Sequence, residues 1–208
     1  MIKRNKRLVM IGAGGHAKVC YDIAQLMNKW DEIIILDDNP INDYFEISGS
    51  ISEFENYMDD SDFFVAIGDN DIRESITNNL LNLKVNIISL IHPQAVITQN
   101  IEVGKGTVVM AGVVINSGTR IGEGCIINTS SSIDHDSIID NFVHVSPGTI
   151  LSGTVTIGKN TWVGAGTVVS NNINIGSYIV IGAGTVVVNN LKERGTYYGV
   201  PARMKVDE

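Results

Sequence analysis

Of the four histidines in this chain, His135 has the setting best suited to chemistry. The tetrad Ile133-Asp134-His135-Asp136 puts a carboxylate on each side of an imidazole. Imidazole titrates near neutrality, and a carboxylate on one ring nitrogen orients it and stabilises its cation, leaving the other nitrogen as a general base. Strand alternation would point both aspartates away from His135. The tetrad falls at a corner, however, where alternation breaks, and spacing alone leaves open which aspartate makes the contact. The blander alternative is an exposed histidine among solvated acids. His144 follows nine residues later. A catalytic zinc takes three protein ligands, so these two histidines make a poor set and no metal is expected.

A second constellation lies near the start. Residues 8–11 read as a buried strand that runs into Gly12-Ala13-Gly14-Gly15-His16-Ala17. This matches G-x-G-x-x-[GA], in which glycine lets backbone approach a pyrophosphate at a helix N-terminus, where free N–H groups and the helix dipole favour anions. An amphipathic helix through about Asn28 follows, with Val19, Ile23, Ala24 and Met27 as its apolar positions. The next apolar strand, 33–36, ends in Asp37-Asp38, about the distance expected for an acid that meets a ribose hydroxyl. A third strand, 63–67, ends at Gly68-Asp69-Asn70 and leads into a polar helix to about Leu83. Residues 85–88 read as a fourth strand, and a short helix is expected near 51–57. Strands alternating with helices imply a small parallel sheet covered on both faces. Ligands in such sheets sit at the carboxyl ends of the strands. A sheet this small suits a mononucleotide or nucleotide-sugar better than a full dinucleotide. The alternative is a tight strand-to-helix turn with no ligand.

These two sites need very different supports. From Ala95 to Asn190 the chain divides into sixteen hexads without an insertion, and the third residue of each is aliphatic, from Ile97 to Val187. A strict period of six fits neither a helix nor a flat strand. It fits a parallel β-helix, in which short strands end at corners and one aliphatic per side points inward. Gly and Asn recur after the inward residue, as at Asn116, Gly122, Asn128, Gly158, Gly164, Gly176 and Gly182, and unusual backbone angles are expected there. Pro93 cannot extend a sheet ladder, so the division is expected at 1–92 and 93–208, with His92 structural at the junction.

A net charge of −8 over 208 residues argues against a nucleic-acid surface. No apolar run approaches the 18 residues of a membrane span. The start is basic and then apolar, but its apolar part is too short and glycine-interrupted for a secretion signal. Cys20 and Cys125 form no paired motif, so a reduced, cytoplasmic setting is expected.

The hexads resemble the left-handed β-helix of hexapeptide-repeat acyltransferases. Handedness comes from that resemblance, since the general rule for parallel crossovers is right-handed. In that family three hexads make one coil, so residues eighteen apart stack. Gly153 then lies one coil beyond His135, its bare N–H suited to a developing oxyanion. His144 lies half a coil away, so the two histidines converge only if a neighbouring subunit supplies the other face.

The whole chain resembles a narrower family, the nucleotide-sugar N-acetyltransferases of the bacillosamine N-acetyltransferase type. These acetylate the 4-amino group of UDP-4-amino-4,6-dideoxy-sugars and belong to the sialic-acid O-acetyltransferase-like group. The likeness is carried by the glycine turn through His16, Leu36-Asp37-Asp38, residues 63–70 with Ile72-Arg73, Leu90-Ile91-His92, residues 127–131, His135-Asp136, residues 142–146 and the closing run 198–203. It implies an acetyl-CoA-dependent enzyme of bacterial glycan biosynthesis, a homotrimer with sites between subunits. A small Rossmann-like α/β domain would bind the nucleotide-sugar through Gly14, Gly15, His16, Asp37, Asp38 and Gly68, with Asn128 joining from the β-helix. His135 would be the catalytic base with Asp136 raising its basicity. His144, Gly153, Ala165 and Ala183 would face acetyl-CoA. Two departures stand out: Asp136 where glutamate is frequent, and Gly14 where serine is common. The rival readings are sugar O-acetylation and a non-enzymatic nucleotide-sugar-binding scaffold.

Overall fold

Leu8, Val9, Met10 and Ile11 are all fully buried, which places their strand at the centre of a sheet covered on both faces. The computed structural model describes residues 6–39 and 43–205, and the chain divides into two compact units, Met1–Pro93 and Gln94–Glu208. In the first unit β1 (Arg7–Ile11) lies between β2 (Glu32–Leu36) and β3 (Ser61–Val65), all parallel. The sheet has three strands where four were expected. Of residues 85–88, only Ile87 bridges to Phe63, although Val85 and Ile87 are buried in the same core as Phe54 and Leu80. The segment therefore supplies apolar surface without a ladder.

Helix α1 (Gly15–Met27) follows β1 and ends at Asn28, which adopts the left-handed conformation. Its buried positions are Ala17, Cys20, Ile23 and Ala24, whereas Val19 is exposed. The inward stripe is thus rotated by about one residue from the expected one. A 3-10 helix spans Ile51–Tyr57, and α2 (Asn70–Asn82) starts at Asp69, whose side chain accepts the Ile72 N–H at 2.9 Å.

The second unit is a parallel β-helix. Two-residue strands occupy the second and third positions of most hexads, and each pairs with the strand eighteen residues on, as Ile133 does with Leu151 and Val145 with Val163. One coil is therefore three hexads. Third-position residues from Val109 to Val187 are buried without exception. Each adds roughly 1.5–3 kcal/mol of burial to a column that no single coil could shelter. Buried hydroxyls at the first position tie the coils together, as where Thr107 donates to the Gly122 carbonyl at 2.8 Å and Thr119 to that of Asp134 at 2.9 Å.

The unusual backbone angles do not fall where they were expected. Positive φ occurs at the sixth hexad position, from Asn100 through Gly118, Asp136 and Thr154 to Gly184. The fourth-position glycines have a different cause. A methyl on Gly158 would stand 2.6 Å from the Ser177 nitrogen, and one on Gly164 would stand 2.5 Å from the Ile181 oxygen. Close approach of the next coil excludes a side chain there.

Candidate active site

The corner after Ile133 builds the first site. Asp134 turns back, its Oδ1 accepting the His135 N–H at 2.8 Å and the Asn116 side-chain amide at 2.9 Å. Asp136 turns the other way. It holds φ +56°, and its Oδ2 meets His135 Nδ1 at 2.9 Å. The left-handed residue breaks strand alternation, so two consecutive side chains face each other. Asp136 is therefore the orienting carboxylate, and Asp134 serves the backbone.

With Nδ1–H donating to Asp136, the lone pair lies on Nε2. The imidazole and carboxylate side chains are 56% and 66% exposed, so the pair stands at the surface. The Asp136 hydrogen bond, reinforced by the charge of Asp134, raises the His135 pKa above its ordinary value. Gly153 lies one coil on, where a methyl would stand 2.5 Å from Nε2. The Thr154 N–H donates to the His135 carbonyl at 2.8 Å, fixing that register. Gly153 thus packs against the imidazole with the bare backbone its stacking implies.

His144 belongs to another side of the β-helix. Its ring stacks on Trp162 with centroids 5.8 Å apart and planes 7° apart, and Nε2 lies 3.3 Å from the Asn128 side-chain nitrogen. Trp162 Nε1 donates to Ser146 Oγ at 2.8 Å. These residues line a largely apolar pocket of about 450 Å³ together with Pro147, Ala165 and Ala183. His144, Ala165 and Ala183 are thereby brought together. Asn128, grouped with the nucleotide-sugar residues in the sequence, also lines this pocket. Gly153, grouped with the acyl-donor residues, faces His135. Trp162 and Ser146 were missed, yet adding eighteen to 144 and to 128 gives them directly.

In the first unit, the carboxyl ends of β1, β2 and β3 gather the glycine turn, Asp37 and Gly68. Gly12 is required by the fold, with φ +105° and Ile67 2.9 Å from a methyl there. Gly14 caps α1 and Gly15 opens it, and a methyl on either would meet nothing within 4 Å. Open space over a helix N-terminus is what an anion needs. Both Asp37 oxygens accept backbone N–H groups, from Ala13 at 2.7 Å and Asn39 at 2.8 Å, so Asp37 braces the turn. Asp38 accepts the Ile51 N–H at 2.9 Å. His16 lies under the turn with Nε2 3.4 Å from Cys20 Sγ. Burial, and then the charge of Arg73, lowers its pKa to about 4. Arg73 is itself buried and donates to the carbonyls of Ile67 and Gly68 and to Asn70 Oδ1.

No group of three or more His, Cys, Asp or Glu able to hold a metal occurs among the described residues. Both cysteines are buried, and burial pushes the Cys20 thiol far up. No helix among the described residues is long and apolar enough to cross a membrane.

A parallel β-helix with a histidine–carboxylate pair at one corner and an apolar pocket on one side is the architecture of hexapeptide-repeat acyltransferases. Residues 7–80 match the PglD N-terminal domain family. The acetyltransferase domain of PglB from Neisseria gonorrhoeae FA1090 is 37% identical, with a TM-score of 0.93 over 97% of this chain and 100% of that one; another structure of that domain holds acetyl coenzyme A. PerB from Caulobacter crescentus, solved with CoA and GDP-perosamine, is 34% identical, with a TM-score of 0.90 over 96% and 97% of the two chains. UDP-N-acetylbacillosamine N-acetyltransferase of Bacillus subtilis (strain 168) is 34% identical over 51% of this chain and 52% of its own length. The match thus spans about half of that curated relative. The chain belongs to the hexapeptide-repeat acyltransferase family, in the group of nucleotide-sugar acetyltransferases that includes these relatives.

Proposed function

We propose that the chain transfers the acetyl group of acetyl-CoA to the 4-amino group of a nucleotide-linked 4-amino-4,6-dideoxy-sugar, with UDP as the favoured nucleotide. The observation that carries this reading is the His135–Asp136 pair, in which Nδ1 is held by a carboxylate at 2.9 Å and the imidazole stands at the surface. A sugar ammonium must lose a proton before it can attack. The amine nitrogen then bonds to the thioester carbonyl carbon while His135 Nε2 takes a second amine proton, a contribution of about 10²–10⁴-fold. The Gly153 N–H is the donor best placed by register to meet the oxyanion. Collapse breaks the C–S bond, and the CoA thiolate takes a proton from the imidazolium. Transfer is direct, since both cysteines are buried.

Acetyl-CoA fits the apolar pocket beside His144, where Ala165 and Ala183 leave room for a pantetheine arm. Gly14, Gly15, His16, Asp37, Asp38 and Gly68 form the nucleotide-sugar end. The enzyme acts in the cytoplasm, where acetyl-CoA is made, as a homotrimer in which His135 and His144 come from neighbouring subunits. The test is release of CoA thiol from acetyl-CoA across UDP-, dTDP- and GDP-4-amino-6-deoxy-sugars, with sialic acid as the hydroxyl control. Rapid release with the UDP amino sugar is expected. Release with the hydroxyl acceptor alone would move the chain to O-acetylation, and no release from protein that binds CoA would overturn the acceptor.

A further inference from the structure

Asp136 reaches His135 only because the coil before it leaves a gap. Gly118 lies eighteen residues earlier at the same corner, with the Asp136 N–H donating to the neighbouring Ser117 carbonyl at 2.9 Å. A methyl on Gly118 would overlap Asp136 Oδ1 and stand 3.3 Å from its Cγ. Backbone angle does not demand glycine at this hexad position: Asn100, Asn160 and Asn172 hold φ of 66°, 58° and 59° at the equivalent place, and Asp136 itself holds 56°. Other glycines there have different surroundings. A methyl on Gly148 would meet nothing within 4 Å, and one on Gly124 would meet the Phe142 ring. A methyl on Gly112 would meet Ser130, and one on Gly166 or Gly184 nothing within 4 Å, whereas one on Gly118 would meet a carboxylate.

We propose that Gly118 is a positioning residue for the base: its bare α-carbon is the space in which the Asp136 carboxylate lies against His135 Nδ1. A carboxylate is the far end of a flexible side chain, so a Cβ at 118 displaces it cheaply, swinging it off the imidazole without unfolding the coil. Gly153 does the same for the ring from the following coil, so the pair sits between two glycines. The charged groups acting on His135 are Asp136 and Asp134 of its own corner. The flanking coils present Ser117, Gly118, Gly153 and Thr154, none of which titrates near neutrality.

This inference rests on the proposed role of His135, and its test separates the two. The His135 ring protons are titrated by NMR in the resting protein, and turnover is measured as CoA release. In Gly118→Ala the His135 titration is expected to move down toward the midpoint seen in Asp136→Ala, and kcat to fall toward that variant's level. The double variant Gly118→Ala with Asp136→Ala should be no worse than Asp136→Ala alone, because neighbours that act through one contact are non-additive. Gly148→Ala carries the same backbone strain and is expected to show a comparable fall in Tm with the wild-type His135 titration. Should Gly118→Ala fail to fold, Gly118→Asn delivers the same Cβ on a residue type native to this position. A wild-type His135 titration in the folded Gly118 variant overturns the inference. Full turnover in His135→Ala would overturn the catalytic reading while the titration still judges Gly118.

Discussion

His16 lies in the first turn of α1 and His135 at a corner of the β-helix, and their surroundings push them in opposite directions. His16 is half-buried near Arg73, and desolvation followed by the Arg73 charge lowers its pKa to about 4. His135 is exposed beside Asp136, and its pKa rises. The cause differs in kind. Desolvation penalises the imidazolium at His16, whereas a hydrogen bond to carboxylate favours it at His135. A histidine kept neutral is a packing and hydrogen-bonding element. A histidine poised near neutrality with an open nitrogen can move protons. His16 is thus held neutral, whereas the imidazolium of His135 is stabilised by its carboxylate neighbour.

The largest effect should come from removing the poised group. His135→Ala is expected to lower kcat by about 10²–10⁴-fold, with Tm close to wild type because the side chain is exposed. Near-wild-type turnover measured by CoA release would erase the contrast between the two histidines. The scaffold beneath it is sensitive in another way. Leu151→Ala opens a cavity in the inward column next to Ile133, with an expected cost of about 2–5 kcal/mol read from denaturant unfolding. Its turnover per folded molecule should fall too, since Ile133 precedes the corner that shapes the pair.

His16 sharpens the comparison on the stability side. Its folded pKa of about 4 lies below the ordinary 6.5, so between those values the unfolded chain binds the proton more readily. Stability contributed by the neutral ring is present above pH 6.5 and is lost as pH falls toward 4. The shift corresponds to on the order of 3 kcal/mol. His16→Gln should flatten the acid side of the unfolding profile over that window while leaving the His135 titration unchanged. An unchanged acid profile in this variant would show that His16 protonates without cost.

How much of this was legible in the sequence depends on whether the cause was periodic. The inward column was readable from Val109 to Val187 because burial repeats every six residues, and coil stacking carried His135 to Gly153; Ile97 and Val103, at the first coil, are only half-buried. The same addition would have carried His144 to Trp162. The choice of Asp136 over Asp134 was not readable, because it turns on one left-handed residue whose position in the hexad was placed two residues too early. Residues 85–88 have the composition of a strand, but only Ile87 finds a ladder partner, and pairing is a property of neighbours rather than of the segment. Asp37 was legible as an acid at a strand end. Its engagement with the Ala13 and Asn39 N–H groups depends on how two loops meet.

Asp136→Asn makes the smallest change and asks the sharpest question. The amide oxygen can still accept from Nδ1–H, so the tautomer and the Nε2 lone pair are kept while the charge is lost. The raised pKa of His135 owes most to the Asp136 hydrogen bond and part to Asp134, which stays in place. The folded pKa should therefore move down toward the ordinary value without losing its whole elevation. Only neutral imidazole accepts a proton, so the acid limb of kcat/KM lies above that of an ordinary imidazole in the wild-type protein and shifts to lower pH in the variant. Plateau activity at higher pH should fall modestly, because a base of lower pKa draws the amine proton less strongly. The variant thus retains a larger fraction of its own maximum in mild acid while its maximum is reduced. A pH–rate profile that falls uniformly with no shift of the acid limb would mean that Asp136 acts by holding the ring in place and that its charge contributes nothing to the chemistry.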